Sequence, residues 1–173
     1  QIAVIGLGRM GYNIALRLAR GGHEVYAYNR SPEKSRELAR EEPRIAVLED
    51  MGDIAAALKP PRAVWLMVTA GAPTQKRIDE LLGILSPGDT IIEGGNSHYQ
   101  DSIMRARSAE PRRVGYLDVG TSGGIWGLSE GYCLMIGGER QTAERLRPVF
   151  ETLAPSPDRG WAYMGPSGAG HFV

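Results

Sequence analysis

The sequence is poor in the residues that cross-link a chain or anchor it in a bilayer. It has one cysteine, so no internal disulfide can form. The apolar run around Cys133, residues 132–136, predicts a buried strand and suits a reducing compartment. No apolar run reaches the roughly 18–20 residues that span a bilayer, and the first residues lack a basic-then-apolar leader. We therefore expect a cytoplasmic protein with no membrane partner.

Net charge and clusters of metal ligands are also lacking. The 20 Lys and Arg balance the 20 Asp and Glu, so no net field draws the chain to nucleic acid. His, Cys and carboxylate residues do not recur at metal-ligand spacing, and we expect no metal site. Any anion site must therefore be built locally. At 173 residues the chain has the size of one domain that can bury a core without cross-links.

Short β-branched runs alternate with longer helical patterns along the chain. This alternation predicts an α/β fold of the Rossmann type, a doubly wound and mostly parallel sheet, with residues 1–173 forming one dinucleotide-binding domain. An extra strand–helix–strand extension is predicted at the carboxyl-terminal end, over 132–136, 142–153 and 161–164. The strands predicted before it cover 1–5, 23–28, 44–48, 63–68, 90–92 and 114–119. Helices are predicted between them, the first two at about 10–20 and 32–40, and one begins at Ser97.

A glycine fingerprint, Gly6-Leu7-Gly8-Arg9-Met10-Gly11, follows the first predicted strand and opens the first helix. Gly6 permits a tight turn, Gly8 lets the backbone approach a pyrophosphate, and Gly11 allows close packing of helix on strand. The amides and partial positive charge at the start of the helix suit phosphates. The sequence therefore predicts a dinucleotide site; the alternative is a glycine-rich turn without a ligand.

The end of the second predicted strand indicates which dinucleotide binds. An NAD-specific site usually has an acidic residue there, whereas this chain has Asn29-Arg30-Ser31. A guanidinium and a hydroxyl can bind the 2′-phosphate of NADP through charge-assisted hydrogen bonds, so we predict NADP, with NAD as the alternative if Arg30 is a solvated loop cation. Met67, Val68 and Thr69 follow the fourth strand and are expected along the cofactor. The alternative for Met67 and Val68 is a place in the core.

Two polar segments, 93–97 and 118–124, end the fifth and sixth predicted strands at the same edge of the sheet. Asn96 and Ser122 offer neutral hydrogen bonds, and Gly123 and Gly124 expose backbone amides; together they could bind a carboxylate and hydroxyls. The alternative is that Asn96-Ser97 is a helix N-cap and that 122–124 is a turn.

The chain resembles the amino-terminal domain of 6-phosphogluconate dehydrogenases over its whole length. The residues that carry the resemblance are the glycine fingerprint 6–11, Asn29-Arg30-Ser31, 93–97, 122–124 and the closing 165–173. Residues 118–128 are more similar to the shorter bacterial subgroup, some members of which prefer NAD. The resemblance implies that Asn96 contacts substrate and nicotinamide, and that Ser122, Gly123 and Gly124 bind the sugar acid. It also implies the reaction, in the pentose phosphate pathway: the substrate loses its C3 hydride to NADP while a base removes the hydroxyl proton, and the β-keto acid then loses carbon dioxide to give ribulose 5-phosphate.

The resemblance further implies that part of the enzyme lies outside these residues. The family's catalytic lysine comes directly after the position of Val173, so we expect no catalytic residue in this chain. A helical second domain would carry the phosphate-binding and dimer-forming residues, and we expect the full-length protein to be a homo-oligomer. His171 is either structural or catalytic, and Trp126 either covers the substrate or contacts another domain. The chain's own lysines lie in polar contexts that would not lower a pKa: Lys34, Lys59 and Lys76.

Two other hypotheses stay open from the sequence. Another β-hydroxyacid dehydrogenase, of the 3-hydroxyisobutyrate or tartronate semialdehyde type, shares the fingerprint, the Ser-Gly-Gly segment and a downstream lysine. Residues 93–97 and 168–173 favour the 6-phosphogluconate enzyme. A non-catalytic nucleotide-sensing module is the hypothesis from another class, and it would be favoured if the natural chain ended at Val173.

Overall fold

The chain forms one eight-stranded sheet. The computed structural model describes all residues, Gln1–Val173. The strands are short because each is a β-branched or apolar run closed by glycine, proline or a polar turn. They are β1 Ile2–Ile5, β2 Val25–Tyr28, β3 Ile45–Val47, β4 Ala63–Leu66, β5 Thr90–Glu93, β6 Gly115–Ser122, β7 Cys133–Gly138 and β8 Trp161–Gly165.

The strand order is β3-β2-β1-β4-β5-β6-β7-β8. Strands β1 to β6 pair in parallel, β7 runs antiparallel to β6, and β8 is parallel to β7. The chain moves outward from β1 in both directions, so the order reverses between β1 and β4. A crevice forms at such a switch point, at the carboxyl ends of the strands. The predicted Rossmann-type fold and its extra strand–helix–strand extension are confirmed.

Helices cover both faces of the sheet. Along β1, Ile2 and Val4 belong to one buried cluster and Ala3 and Ile5 to the other, as the period of two in a strand requires. The first cluster contains the apolar faces of α1 and α8, and the second contains those of α3 and α4. The helices are α1 Arg9–Arg20, α2 Pro32–Glu41, α3 Ile54–Ala57, α4 Ala72–Ile84, α5 Tyr99–Ala109, α6 Gly127–Glu130, α7 Arg140–Arg145, α8 Arg147–Leu153 and α9 Ala169–Phe172.

Cys133 was predicted to be buried, and that prediction is wrong. Leu134 and Ile136 are buried in β7, but Cys133 is exposed. Alternate side chains of a strand point to opposite faces, so an apolar run does not bury each of its members. The Cys133 Sγ lies 3.7 Å from the Sδ of Met135, two residues along on the same face.

Two predicted elements also differ from the structure. Strand β6 continues to Ser122 rather than ending at Val119, because β7 pairs with it up to the Ser122–Cys133 pair. The helix predicted over 142–153 is two helices, α7 and α8, since Pro148 has no amide hydrogen for a continuous helix and lies instead in the first turn of α8.

None of the helices is long and apolar enough to cross a membrane.

Candidate functional site

A cavity of about 680 Å³ opens at the switch point, where the carboxyl ends of β1, β2 and β4 meet. We refer to it as the first cavity. Its position is the one at which open α/β sheets bind ligands. The lining residues come from the glycine loop, the end of β2, the end of β4 and one face of α4: Ile5, Gly6, Gly8, Tyr28, Asn29, Arg30, Ser31, Met67, Val68, Thr69, Ala72, Pro73, Lys76 and Arg77.

The three fingerprint glycines have different surroundings. Gly6 has φ +91°, and a Cβ there would overlap the carbonyl oxygen of Met67. A Cβ on Gly11 would overlap the carbonyl oxygen of Gly6, so both positions need glycine for the fold itself. Gly8 has φ −65°, which any residue adopts, and a Cβ there would meet nothing within 4 Å. The fold does not need glycine at Gly8, and the free space above it suits the close approach of a ligand.

Asn29 joins the glycine loop to the end of β2. Its Oδ1 accepts a hydrogen bond from the Leu7 amide at 2.9 Å, and its Nδ2 donates to the carbonyl of Ser31 at 3.1 Å. Arg30 and Ser31 are exposed beside it. Ser31 is the N-cap residue of α2 but makes no capping hydrogen bond through its side chain. Asn29 therefore shapes the loop, while Arg30 and Ser31 are available to a ligand in the first cavity.

A second cavity, of about 490 Å³, adjoins the first, because Met67 and Val68 line both. No Lys, Arg, Asp or Glu lines it. Its polar groups are those of the β5 and β6 ends, and three methionines and two valines add apolar surface. The lining residues are Met10, Met67, Val68, Gly94, Gly95, Asn96, Gly120, Thr121, Ser122, Met135, Gly170, His171 and Val173.

A buried ionic network fixes the β5 end beneath the second cavity. The Glu93 carboxylate accepts hydrogen bonds from Ser97 at 2.7 Å, Tyr116 at 2.9 Å and Arg105 Nη1 at 3.2 Å. Glu93 is fully buried and the Arg105 side chain is 3% exposed. Burial, and after it the neighbouring Glu93 charge, raises the pKa of Tyr116 far above its ordinary value, so this hydroxyl stays a donor. The network holds the segment that leads to Asn96.

Asp118, at the register position beside Glu93, holds the last turn of the chain. Its Oδ1 accepts from the Gly168 amide at 2.7 Å and its Oδ2 from the His171 amide at 3.0 Å. The His171 Nδ1 lies 2.8 Å from Ser102 Oγ, whereas its Nε2 is buried and has no hydrogen-bond partner. The two carboxylates together fasten the β5 and β6 ends and α9 into one wall of the second cavity.

Most of the predicted binding residues line one of the two cavities. Gly6, Gly8, Asn29, Arg30, Ser31, Met67, Val68 and Thr69 line the first, and Met10, Asn96 and Ser122 line the second. The remaining five line neither: Leu7 and Gly11 are buried, Arg9 is exposed, and Gly123 and Gly124 follow Ser122 along the chain. Met67 and Val68 are half-buried and pack against the core clusters as well, so both interpretations of these two residues describe part of their environment.

The alternatives for the substrate segments have mixed outcomes. Ser97 is not a helix cap, because its hydroxyl donates to Glu93 and α5 begins at Tyr99. Ser122 ends β6, while Gly123 and Gly124 have φ +149° and +51° and begin a turn. Trp126 is 69% exposed and does not line the second cavity.

Sequence reasoning missed the residues that α4 contributes to the first cavity. Ala72, Pro73, Lys76 and Arg77 recur at the spacing of one helix face. That spacing was visible in the sequence, but nothing in it tells which face of α4 borders the cavity. Thr121 and Met135 were missed in the second cavity for a similar reason, since they meet only through the antiparallel pairing of β6 and β7. No group of three or more His, Cys, Asp and Glu side chains could hold a metal ion.

Comparisons with known proteins agree with this geometry. Residues 1–165 match the family described as the NAD binding domain of 6-phosphogluconate dehydrogenase. The chain is 40% identical over 176 residues to a decarboxylating 6-phosphogluconate dehydrogenase of Bacillus licheniformis, covering 99% of this chain and 38% of that protein. An NAD(+)-dependent, decarboxylating 6-phosphogluconate dehydrogenase of Haloferax volcanii is 39% identical, with 100% of this chain and 56% of that protein covered.

A solved structure supports the same likeness. The 6-phosphogluconate dehydrogenase of Plasmodium falciparum, whose structures include complexes with NADP+ and with 6-phosphogluconate, superposes with a TM-score of 0.91 at 29% identity. The match covers 99% of this chain and 38% of that one. The chain thus spans between about two fifths and three fifths of the length of these three relatives.

Proposed function

The chain belongs to the family of NAD-binding domains of 6-phosphogluconate dehydrogenase, and from this membership we propose that it is the cofactor-binding domain of a decarboxylating 6-phosphogluconate dehydrogenase that uses NADP. In the full-length enzyme the bound cofactor would accept the C3 hydride of 6-phosphogluconate, and loss of carbon dioxide would give ribulose 5-phosphate. The observation that carries the proposal is the free space at Gly8, at the mouth of α1 and at the switch point of the sheet.

The residues of the first cavity support a dinucleotide. The backbone at Gly8 and the first amides of α1 can bind the pyrophosphate, because the amides at a helix N-terminus have no partner within the helix. Met67 and Val68 border both cavities, which allows a bound nucleotide to extend from the first into the second. Its nicotinamide would then lie beside Asn96 and Ser122, the residues proposed to bind the substrate together with Gly123 and Gly124.

The preference for NADP rests on Arg30 and Ser31. Both line the first cavity, and no Asp or Glu lines it to repel a 2′-phosphate or to bind a ribose 2′-hydroxyl. The relative from Haloferax volcanii is named NAD(+)-dependent, and NAD is therefore the alternative that the cofactor experiment must separate.

We propose that this chain alone binds the cofactor without turnover. None of Lys34, Lys59 and Lys76 lines the second cavity, so no lysine of this chain is placed to act as the base. His171 has the one titratable side chain that lines the second cavity, and its backbone amide donates a hydrogen bond to Asp118. A cytoplasmic location and a homo-oligomeric full-length protein, assembled through a helical second domain, complete the proposal.

An assay of the full-length protein tests the reaction. Incubation with 6-phosphogluconate and either cofactor should yield reduced nucleotide and carbon dioxide in equal amounts. Reduced nucleotide without carbon dioxide would instead indicate another β-hydroxyacid dehydrogenase. Nucleotide binding without oxidation of any such substrate would indicate a sensing module.

Calorimetry of the chain with NADP and NAD tests the cofactor choice. We expect NADP to bind at least several-fold more tightly, because charge-assisted hydrogen bonds to Arg30 are available only to the 2′-phosphate. Arg30→Ala should remove most of this preference and leave the NAD affinity unchanged. Arg107→Ala, an exposed arginine of α5 outside both cavities, is the matched control. Equal affinities of the unaltered chain for both cofactors would refute the role given to Arg30.

A further inference from the structure

The wall that α4 contributes to the first cavity is positively charged. One face of α4 borders the cavity that Arg30 also lines. The residues of this face are one helical turn apart in two pairs, Ala72 with Lys76 and Pro73 with Arg77. Three cationic side chains therefore surround a space lined by no Asp or Glu. In a chain with no net charge this separation is local rather than a result of composition.

The three cations differ in how far they are already neutralised. Arg77 forms an ion pair with Glu80 on its own helix, and its side chain is only 22% exposed. Lys76 and Arg30 are exposed, and neither has a carboxylate oxygen within 4.0 Å. Lys76 is thus the α4 cation with its charge free to act on a ligand.

We propose that Lys76 is a specificity-determining residue that binds the 2′-phosphate of NADP together with Arg30. This inference rests on the proposed function and extends it to a second element of the fold. A phosphate monoester carries a charge of about −1.5 to −2 at pH 7, which one guanidinium does not neutralise. A flexible ammonium is a suitable second ligand, because it acts as a point charge and needs no fixed geometry. Ser31, with no capping bond, adds a neutral hydroxyl to the same subsite.

Two other lysines of the chain can serve as controls for Lys76. Lys34 and Lys59 are exposed but do not line the first cavity. Lys59 lies in the turn after α3, so Lys59→Gln makes the same change of charge outside the subsite. Lys76→Gln removes the charge and keeps a similar helix propensity, so the folded state should tolerate it.

The test is calorimetric titration of the chain with NADP, NAD, adenosine 2′,5′-bisphosphate and adenosine 5′-monophosphate, the last two differing only in the 2′-phosphate. We expect Lys76→Gln to weaken the binding of NADP and of the bisphosphate about three- to tenfold. This range lies between the contribution of an exposed ion pair and that of a charge-assisted hydrogen bond. The affinities for NAD and for the monophosphate should change less than about twofold. Lys59→Gln should change the affinities for all four ligands by less than about twofold, since screened charges outside the subsite contribute little. Lys76→Arg should retain the preference for NADP.

The outcomes separate this inference from the proposed function. If both dinucleotides bind the unaltered chain and Lys76→Gln leaves their affinity ratio unchanged, the role of Lys76 is refuted while the dinucleotide site stands. An equal loss of affinity for NADP and NAD would also refute it, because a 2′-phosphate ligand cannot affect NAD. If neither dinucleotide binds the unaltered chain, both proposals fail.

Discussion

The three glycines of the fingerprint differ in whether the fold itself requires a residue without a side chain. Gly6 and Gly11 have backbone atoms where a Cβ would lie, whereas Gly8 has open space there. A sequence motif alone cannot make this distinction, because it scores all three positions alike. In the structure, Gly8 is the one of the three at which the fold itself does not need glycine.

Gly8→Ala should therefore weaken the binding of NADP without unfolding the chain. The added methyl group would occupy the approach to the pyrophosphate, and loss of a charge-assisted hydrogen bond there corresponds to roughly a tenfold or larger loss of affinity. The free energy of unfolding should change by less than about 1 kcal/mol, because Ala is a poorer N-cap than Gly but restricts the unfolded chain more. Isothermal calorimetry and urea unfolding measure the two effects.

Gly11→Ala is the contrasting variant. Its methyl group would overlap the carbonyl oxygen of Gly6, so it should destabilise the chain by about 1–3 kcal/mol. Equal effects of the two substitutions on stability would contradict the assignment of Gly8 to the ligand.

The elements of the carboxyl-terminal extension are fastened to the rest of the sheet by polar contacts. The guanidinium of Arg17, on α1, donates to the carbonyls of Thr152, Leu153 and Ala154 at 3.0, 3.0 and 2.7 Å. These carbonyls end α8, where a cation also opposes the negative end of the helix dipole. The segment before β2 adds His23, whose Nε2 lies 2.9 Å from Thr152 Oγ1.

The His23 contact predicts a pH dependence of stability. Burial lowers the pKa of His23 below its ordinary value near 6.5. The unfolded chain then binds more protons in the window between the lowered pKa and about 6.5, so stability falls as the pH falls through that window. Melting temperatures between pH 7.5 and 5 should decline less steeply in His23→Gln. His98→Gln, at an exposed histidine, should keep the slope of the unaltered chain, and identical slopes in all three proteins would exclude a contribution from His23.

The ionic network between β5 and α5 gives a second prediction at this scale. Removing Arg105 would leave the fully buried Glu93 without its counter-charge, so Arg105→Met should cost about 3–5 kcal/mol in urea unfolding. Adding Glu93→Gln should recover part of this loss. Arg36→Met breaks the exposed Arg36–Glu49 pair and should have no measurable effect. A cost for Arg105→Met as small as that for Arg36→Met would contradict the importance of the network.

Local signals in the sequence predicted the elements well and their contacts poorly. The glycine fingerprint, the Pro32 start of α2 and the buried strand β4 follow from residues within a few positions of one another. The length of β6 depends on β7, and the partners of Glu93 lie up to 23 residues away. The cationic face of α4 needed the packing of that helix beside β4 before its relation to Arg30 could be recognised.

The whole molecule divides its carboxyl edge into a charged half and a neutral half. The first cavity carries three cations, and the second is lined by no Lys, Arg, Asp or Glu. A nucleotide with an extra phosphate fits this division, with its phosphates on the charged side and its nicotinamide on the neutral side.

A crystal structure of the chain grown with saturating NADP tests this account most directly. It should contain the pyrophosphate against the amides that follow Gly8, the 2′-phosphate beside Arg30, and the nicotinamide in the second cavity near Asn96 and Ser122. A nucleotide bound at another surface, or none in the first cavity at that concentration, would contradict the account.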